Sequence, residues 1–467
     1  MLIHSSYAYA YPKDIPGSRC DPDEGPWPRP YRVLQEDEMW REFARLAKPQ
    51  SAVFNPKQPH WRADSVNFQP SPRSRTQDRY IVTQLDIHGC SWTFSGVFDG
   101  HLGDATVEHV AHHLPIIVRD FLRQASEDLR SHQAAEPHCK NSAGFTPELV
   151  SNLFSRSIIA FDDAIANDVL ELFGGLEGLQ NFSNAEIRNI INDQHNGGAN
   201  WKKARLCMYG TTALVALVDP GHKNMWVANL GDCQAILVTP KDDIGIEWNV
   251  ETLNEFHNGD NDAEVDRVQR QHPNEPESVV DRRVLGALAP FRCLGDVPFK
   301  QPPEFTRRIL YNLLPGFHNV SPWEEFLVRN LTPPYITAEP DVIHRSLEDC
   351  IGTPSLNGVV HGKQRLPRFL ILASDGFGDL CGNEESQARI VQKWASSVVT
   401  RANSESWHSA LSKHKGLGTP LARASENLAL SLLRRTLGED AISVSRVLTL
   451  DMETSWIDDT AVVVQTL

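Results

Sequence analysis

The sequence predicts an α+β layered domain, and three observations carry that prediction. Short apolar, β-branched runs recur along the chain, bounded by Asp, Pro and Gly. Between them lie longer segments with apolar residues at spacings of three and four. The strands come as hairpin-like pairs with helices inserted, which argues against a regular β-α-β alternation.

Residues 1 to about 72 are rich in Pro, Trp and Tyr, as in EGPWPRPYR and FNPKQPHWR. Proline fixes φ and removes a donor, so an extended arm is expected, with one helical patch at EDEMWREFARLAK and aromatic residues for packing on the body. From Tyr80 the pattern turns to strands. YIVTQLDIHGCSWTFSGVFDG reads as two strands around a His-Gly turn, and GTTALVALVDPGHKNMWVANLGDCQAILVTP as two or three more. RFLILASDG and TAVVVQTL read as further buried strands. ATVEHVAHHLPIIVRDFLRQA, PELVSNLFSRSIIAFDDAIANDVLELF, ESQARIVQKWASSVVTRA and ASENLALSLLRRTLG are predicted amphipathic helices. There is no internal repeat. Residues 173–206, rich in Gly and Asn, and residues 301–334, with PPEF, LLPGF and LTPPY, read as insertions.

With 40% hydrophobic residues the chain can bury a real core. Its 60 acidic against 45 basic residues give a formal charge of −15, which argues against nucleic acid as a partner, since a phosphate backbone needs clustered Lys and Arg. Eight scattered cysteines without a C-x-x-C pair indicate neither a zinc ribbon nor a dense disulfide framework and fit a reducing interior. The N-terminal MLIHSSYAYAYPKDIPG has neither an apolar signal core nor the pattern of a transit peptide, and no stretch is apolar enough for a membrane span. An intracellular protein is expected.

One small event recurs. GVF-Asp99-Gly, ANLG-Asp232, ILAS-Asp375-Gly and SWI-Asp458-Asp459 each put a carboxylate where an apolar strand starts or stops, and Asp78 precedes YIVTQL. If these ends converge, one cleft collects five or more acidic side chains, each raising the pKa of the others. A hard divalent cation supplies the missing charge: Mg²⁺ and Mn²⁺ take oxygen ligands and keep waters, which suits carboxylates without Cys or paired His. Taken singly, Asp-Gly more often marks a turn.

The ordered series SRTQDRY, GVFDGH, YGTTALVAL, ANLGDCQAIL, LGALAPFRCLGDVPFK, ITAEPDVI, FLILASDGFGDL and IDDTAVVV resembles the metal-dependent type 2C protein serine/threonine phosphatases. ESVVDRRVLGALAPFRCLGDVPFK, TPPYITAEPDV and LLRRTLGED are most similar to the pyruvate dehydrogenase phosphatase branch of that family. The resemblance implies a four-layer α-β-β-α sandwich of two antiparallel sheets flanked by helices, with an arm over residues 1–59 and one catalytic domain over 60–467. It implies two Mg²⁺ or Mn²⁺ ions and a third, weakly bound one. Asp99 would bridge two ions, with the Gly100 carbonyl on one of them, and Asp375 and Asp458 would complete the first ion's shell. Gln77 and Asp78 stand where Glu-Asp is usual, and the resemblance implies both as metal-site residues. Gln77, an amide without charge, would be the second ion's ligand and bind it more weakly. Asp232 and Asp379 match acidic positions around the metal site. Arg73 matches the phosphate-holding arginine, with Arg75 as competitor, and His101 the general acid. Leu102 replaces a glycine of the usual Gly-His-Gly-Gly turn.

The implied function is hydrolysis of phosphoserine and phosphothreonine in a phosphoprotein substrate. The E1 component of pyruvate dehydrogenase in mitochondria is the substrate the resemblance names, with a cytoplasmic address as the alternative because no presequence is evident. Gln77 and Leu102 keep open a catalytically weak, phosphoprotein-binding scaffold, and a hydrolase of a phosphorylated metabolite is a third reading. Oligomeric state is not readable. The 301–334 insertion is expected to overhang the cleft and choose the partner.

Three other signals are discounted. His109, His112 and His113 lie at helical spacings that suit zinc but lack a third ligand type, so a solvated helix face is expected. His138-Cys139 opens like a tyrosine-phosphatase loop, but Phe145 stands where its arginine belongs. Asp260, Asp262, Glu264 and Asp266 lack the central glycine of a calcium loop and are expected to open a charged helix, with Glu264 and Arg267 an exposed pair.

Overall fold

The central strands have to bury both of their faces, and that requirement builds the layers. Successive strand residues point to opposite sides. In a computed structural model describing residues 7–19, 27–55, 61–71, 75–135, 144–242, 244–317, 321–347, 366–404, 426–452 and 455–467, the two sides meet different cores. Strands β1 (Gln50–Val53), β2 (Arg62–Phe68), β3 (Arg79–Ile87), β4 (Cys90–Phe98), β5 (Ala213–Val218), β6 (Asn224–Leu230), β7 (Gln234–Pro240), β8 (Trp248–Thr252), β9 (Asp341–Ser346), β10 (Phe369–Ala373) and β11 (Thr460–Thr466) form two antiparallel sheets. One has five strands in the order β9-β6-β5-β4-β3, the other six in the order β8-β7-β10-β11-β2-β1.

Leu214, Ala216 and Val218 of β5 and Val97 of β4 face Leu370 and Leu372 of β10 and Ala461 and Val463 of β11 across the gap between the sheets. Ser95 donates to Gln465 Oε1 at 2.7 Å through this interior. The alternate residues point outward. Ala213, Val215 and Leu217 pack with Trp92, Phe94 and Phe98 against helices α1 (Asp104–Ala135) and α2 (Pro147–Leu170). Phe369, Ile371, Val462 and Val464 pack on the other side against α3 (Asp375–Cys381), α4 (Glu384–Ser404), α5 (Leu428–Thr436) and α6 (Ala441–Thr449). The result is helix, sheet, sheet, helix, as predicted.

The N-terminal residues are more regular than the expected extended arm. Tyr7–Ala10 pairs with Arg29–Arg32. A helix over Glu36–Ala47 buries Met39, Phe43, Leu46 and Ala47 in the six-stranded sheet's outer core, and β1 pairs with β2 as the edge strand. Strand β2 itself, RADSVNF, escaped the sequence reading because two of its outward positions are charged. Arg62 and Asp64 are 7% and 0% exposed and joined at 2.8 Å. The Asp64 carboxylate also accepts the Leu428 amide at the start of α5. Removing one partner strands the other's charge, so Arg62→Ala is expected to cost about 3–5 kcal/mol. Urea unfolding measures this, and a loss below about 1 kcal/mol, the worth of an exposed pair, would contradict it.

The two predicted insertions fold onto each other. Asn184–Ile191 and Ala199–Leu206 share one small core with Pro303–Arg308, built from Ile187, Ile191, Ala204, Phe305, Ile309 and Leu313. Asn192 Nδ2 donates to the Asn312 carbonyl at 2.9 Å. Met208 and Val297 belong to the same core, so this lobe is rooted beside the segments that carry Gly210 and Asp296.

Candidate active site

The antiparallel registers decide where the aspartates go. Arg79 pairs with Phe98, so Asp78, just before β3, lies beside Asp99, just after β4. Leu230 pairs with Ala213, which brings the Gly231–Asp232 turn to Thr212, and the Thr212 amide donates to the Asp99 carbonyl at 2.9 Å. In the other sheet Ala373 pairs with Val462, and Ser374 continues the ladder to Ala461 at 3.0 Å, placing Asp375 and Asp458 together. Gly100 is fixed by space: a Cβ there would lie 2.7 Å from Val107 and 2.8 Å from the Gln77 carbonyl.

These carboxylates feel one another strongly. Burial first, then the charges of Asp78, Asp375, Asp232 and Asp458, hold the Asp99 carboxyl well above the usual range. Burial and Asp459 push Asp78 up to about 8, burial and Asp375 push Asp458 to about 8, and burial and Asp375 push Asp232 to about 6. The cluster therefore demands positive charge. Part of it comes from Arg19, whose Nη2 lies 3.2 Å from Asp375, 2.9 Å from Asp379 and 2.5 Å from Asp458.

The donor set fits a hard cation. Asp375 Oδ1 and Gln77 Oε1 are buried oxygens with no hydrogen-bond partner among the described residues, and an oxygen in that state is costly unless something electropositive meets it. Among the described residues no three His, Cys, Asp or Glu side chains stand as a ready ligand set. Asp78 is already engaged. Its Oδ2 accepts from Ser374 Oγ at 2.6 Å and the Ala461 amide at 2.9 Å, tying the two sheets together at the site. Asp379 sits at the rim, 39% exposed, in Arg19's grip.

Three further residues support the site, and only Asp459 of them stands among the strand-end carboxylates of the sequence. Asp459 accepts the Gln77 amide at 2.6 Å and Gln69 Nε2 at 2.8 Å, and so sets where Gln77 points. Buried His257 bonds Asp341 at 2.9 Å through Nε2 and the Gly231 amide at 3.3 Å through Nδ1, holding the turn that carries Asp232. Asp296, 1% exposed, bonds His101 Nε2 at 2.7 Å and accepts from Cys293 Sγ at 3.1 Å. Burial alone would lower the His101 pKa, but the charge and hydrogen bond of Asp296, with Asp232 beyond, raise it above the ordinary histidine value. Asp296 itself is held below the carboxylate range by His101 despite burial. An ionised Asp296 accepts, so His101 Nε2 donates and Nδ1 is the nitrogen left for chemistry.

With His101 as the general acid that the resemblance implies, Asp296→Asn is expected to lower kcat roughly 10²-fold, the scale of such a group's contribution, with KM little changed. Without that negative charge the alkaline limb of the rate profile moves to lower pH, which loss of folding alone would not produce. An unmoved limb would assign Asp296 to packing.

Leu102 takes φ 63°, the left-handed conformation a glycine would supply, so the turn keeps its shape at a cost of about 1–2 kcal/mol. Its side chain is exposed. Arg73 lies outside the described residues, as do His138 and Cys139. Arg75 turns away onto helix α1, to Asp104 at 3.3 Å and Glu108 at 2.9 Å. His109 stacks on Phe161 at 5.6 Å, with the His113 ring tilted against it at 4.1 Å. Asp262–Gln271 is a helix as expected, but Glu264 is buried rather than exposed. A second cation, Arg292, reaches it and pulls the pair inward.

The sequence profile described as protein phosphatase 2C matches residues 82–414. The chain is 30% identical over 322 residues to mitochondrial pyruvate dehydrogenase (acetyl-transferring) phosphatase 1 of Bos taurus, which covers 64% of this chain and 55% of that protein. It thus spans little more than half the length of that relative. It is 27% identical over 386 residues to a protein phosphatase 2C homologue of Schizosaccharomyces pombe, covering 80% of this chain and 72% of that one. A solved serine-threonine phosphatase 2C from Toxoplasma gondii superposes with a TM-score of 0.46 at 17% identity, covering 90% of this chain and 99% of that chain.

Proposed function

Because the chain belongs to the protein phosphatase 2C family, we propose that it hydrolyses phosphoserine and phosphothreonine in proteins with the help of Mg²⁺ or Mn²⁺. The observation that carries this is the meeting of Asp99, Asp232, Asp375 and Asp458 from both sheets in one electrostatically coupled group. Asp99 and the Gly100 carbonyl would hold two ions, with Asp375 and Asp458 on the first and Gln77 on the second. Asp232 and Asp379 would serve a looser third. When bound, such ions lower the pKa of water and neutralise phosphoryl charge.

The chain's own groups do the rest. Asp459 aims Gln77, and His257 keeps Asp232 in place. As a water oxygen bonds to phosphorus and the P–O bond to the serine or threonine breaks, His101 passes a proton from Nδ1 to the leaving oxygen, giving the alcohol and inorganic phosphate. Asp296 stabilises the imidazolium before the transfer. Arg73 is the proposed phosphate-holding guanidinium, since Arg75 is committed to Asp104 and Glu108.

Pyruvate dehydrogenase in mitochondria is the proposed substrate and address, on the strength of the Bos taurus relative. Phosphate release from phosphorylated pyruvate dehydrogenase and from phosphopeptides, with Mn²⁺ and with EDTA, tests both levels. Release from peptides alone would remove the named substrate. Turnover of a phosphorylated metabolite without any protein turnover would replace the class.

A further inference from the structure

Residues 14–19 cross the mouth of the site as a strap held on both banks. Ile15 is buried in the outer core of the six-stranded sheet, and Arg446 Nη1 donates to the Asp14 carbonyl at 2.5 Å. Gly17, at φ 62°, passes so close to α3 that a Cβ would lie 3.1 Å from the Asp379 carbonyl. The Arg19 amide donates to the Trp456 carbonyl at 2.9 Å, just before Asp458. The strap lies ahead of the family match, which begins at residue 82.

Its end is a guanidinium set among three carboxylates. Arg19 Nε and Nη2 both bond Asp379 Oδ2, at 3.0 and 2.9 Å. Nη2 also reaches Asp375 Oδ2 at 3.2 Å and Asp458 Oδ2 at 2.5 Å. The last two oxygens belong to residues assigned above to the first ion. A divalent cation binds carboxylate oxygen at about 2.0–2.2 Å, with its own ring of ligands. A guanidinium 2.5 Å from Asp458 Oδ2 and 3.2 Å from Asp375 Oδ2 draws on the same negative charge that would hold the ion. Ion and guanidinium also repel.

We propose that Arg19 is a built-in competitor for the first metal position: the strap neutralises the carboxylates when divalent ions are scarce, and loading the site requires its displacement. The strap thereby sets the metal concentration at which the site fills. This rests on the metal-site reading above, and its test needs no phosphoprotein.

Mn²⁺ binding to the full chain, followed by electron paramagnetic resonance and calorimetry without substrate, compares wild type with Arg19→Ala and Arg19→Lys. Asp375→Asn serves as the ligand-loss control. Releasing a partly exposed, multiply paired guanidinium is expected to tighten Mn²⁺ binding about three- to tenfold in Arg19→Ala. Arg19→Lys keeps the charge but not the fork and falls between. In EDTA, Arg19→Ala melts below wild type because three carboxylates lose their counter-charge, and Mn²⁺ restores it. Unchanged or weaker binding in Arg19→Ala would overturn the proposal and make Arg19 a support of the ligands. Tighter binding without phosphopeptide turnover in either protein would leave the competition standing and remove the phosphatase reading. Binding by neither protein would remove both.

Discussion

Asp99→Asn is expected to reduce phosphopeptide turnover on the order of 10³-fold, because bridging charge worth several kcal/mol is lost at about 1.4 kcal/mol per tenfold. The substitution is nearly isosteric, and the contacts that position residue 99 are to its backbone: the carbonyl takes the Thr212 amide and the Thr211 hydroxyl, both at 2.9 Å, and the amide meets Thr212 Oγ1 at 3.1 Å. Folding is therefore expected to survive. The metal-free variant is expected to melt higher than metal-free wild type, since one repelling buried charge is gone. High melting with lost turnover and weakened Mn²⁺ binding is the combination that marks a metal-bridging carboxylate. Equal turnover in variant and wild type would leave a phosphoprotein-binding scaffold as the better reading.

The aspartates were legible because strand ends are legible. An apolar β-branched run that stops at Asp or Gly announces both the strand and the carboxylate at its tip. What the run does not announce is the register, which alone decides whether Asp78 meets Asp99 or misses it. Asp296 shows the limit: LGDVPFK was visible as a motif, yet its partner His101 lies 195 residues away, and no local spacing connects them. Asp459 was hidden by its neighbour Asp458, since two adjacent acids look redundant until one is seen holding the Gln77 amide.

Strand β2 and the strap fail for a different reason. Hydrophobic periodicity finds elements whose buried positions are apolar. Arg62 and Asp64 are buried as a pair, so the outward face of β2 reads as polar until the pair is known. The helix over Ala441–Thr449 carries Val444, Val447 and Leu448 inward, but it is short and interleaved with Ser and Thr. In the strap the informative residue is an arginine in a proline-rich stretch. Its meaning comes only from Asp375, Asp379 and Asp458, more than 350 positions later in the chain.

Divalent-ion stabilisation is expected to grow as pH rises from about 6 to about 8, and the sign follows from which state holds the protons. In the metal-free fold Asp232 sits at about 6 and Asp78 and Asp458 at about 8, each raised first by burial and then by neighbouring carboxylates. The unfolded chain titrates the same groups near 3.9. Between those values the folded protein binds more protons than the unfolded one, so its stability falls as pH rises through the folded pKa values. Metal binding changes the balance. At pH 6 an incoming ion has to expel protons from most of these carboxyls, whereas at pH 8 Asp232 is ionised and Asp78 and Asp458 are about half so, and fewer protons have to leave. A ligand at 100 times its Kd stabilises by about 2.7 kcal/mol, and the Kd itself is expected to tighten across this range. The increase in melting temperature on replacing EDTA with Mn²⁺ should therefore be larger at pH 8 than at pH 6. A smaller increase at pH 8 would mean that the carboxylates are not the ion's ligands, and the reaction assigned to this cleft would lose its basis.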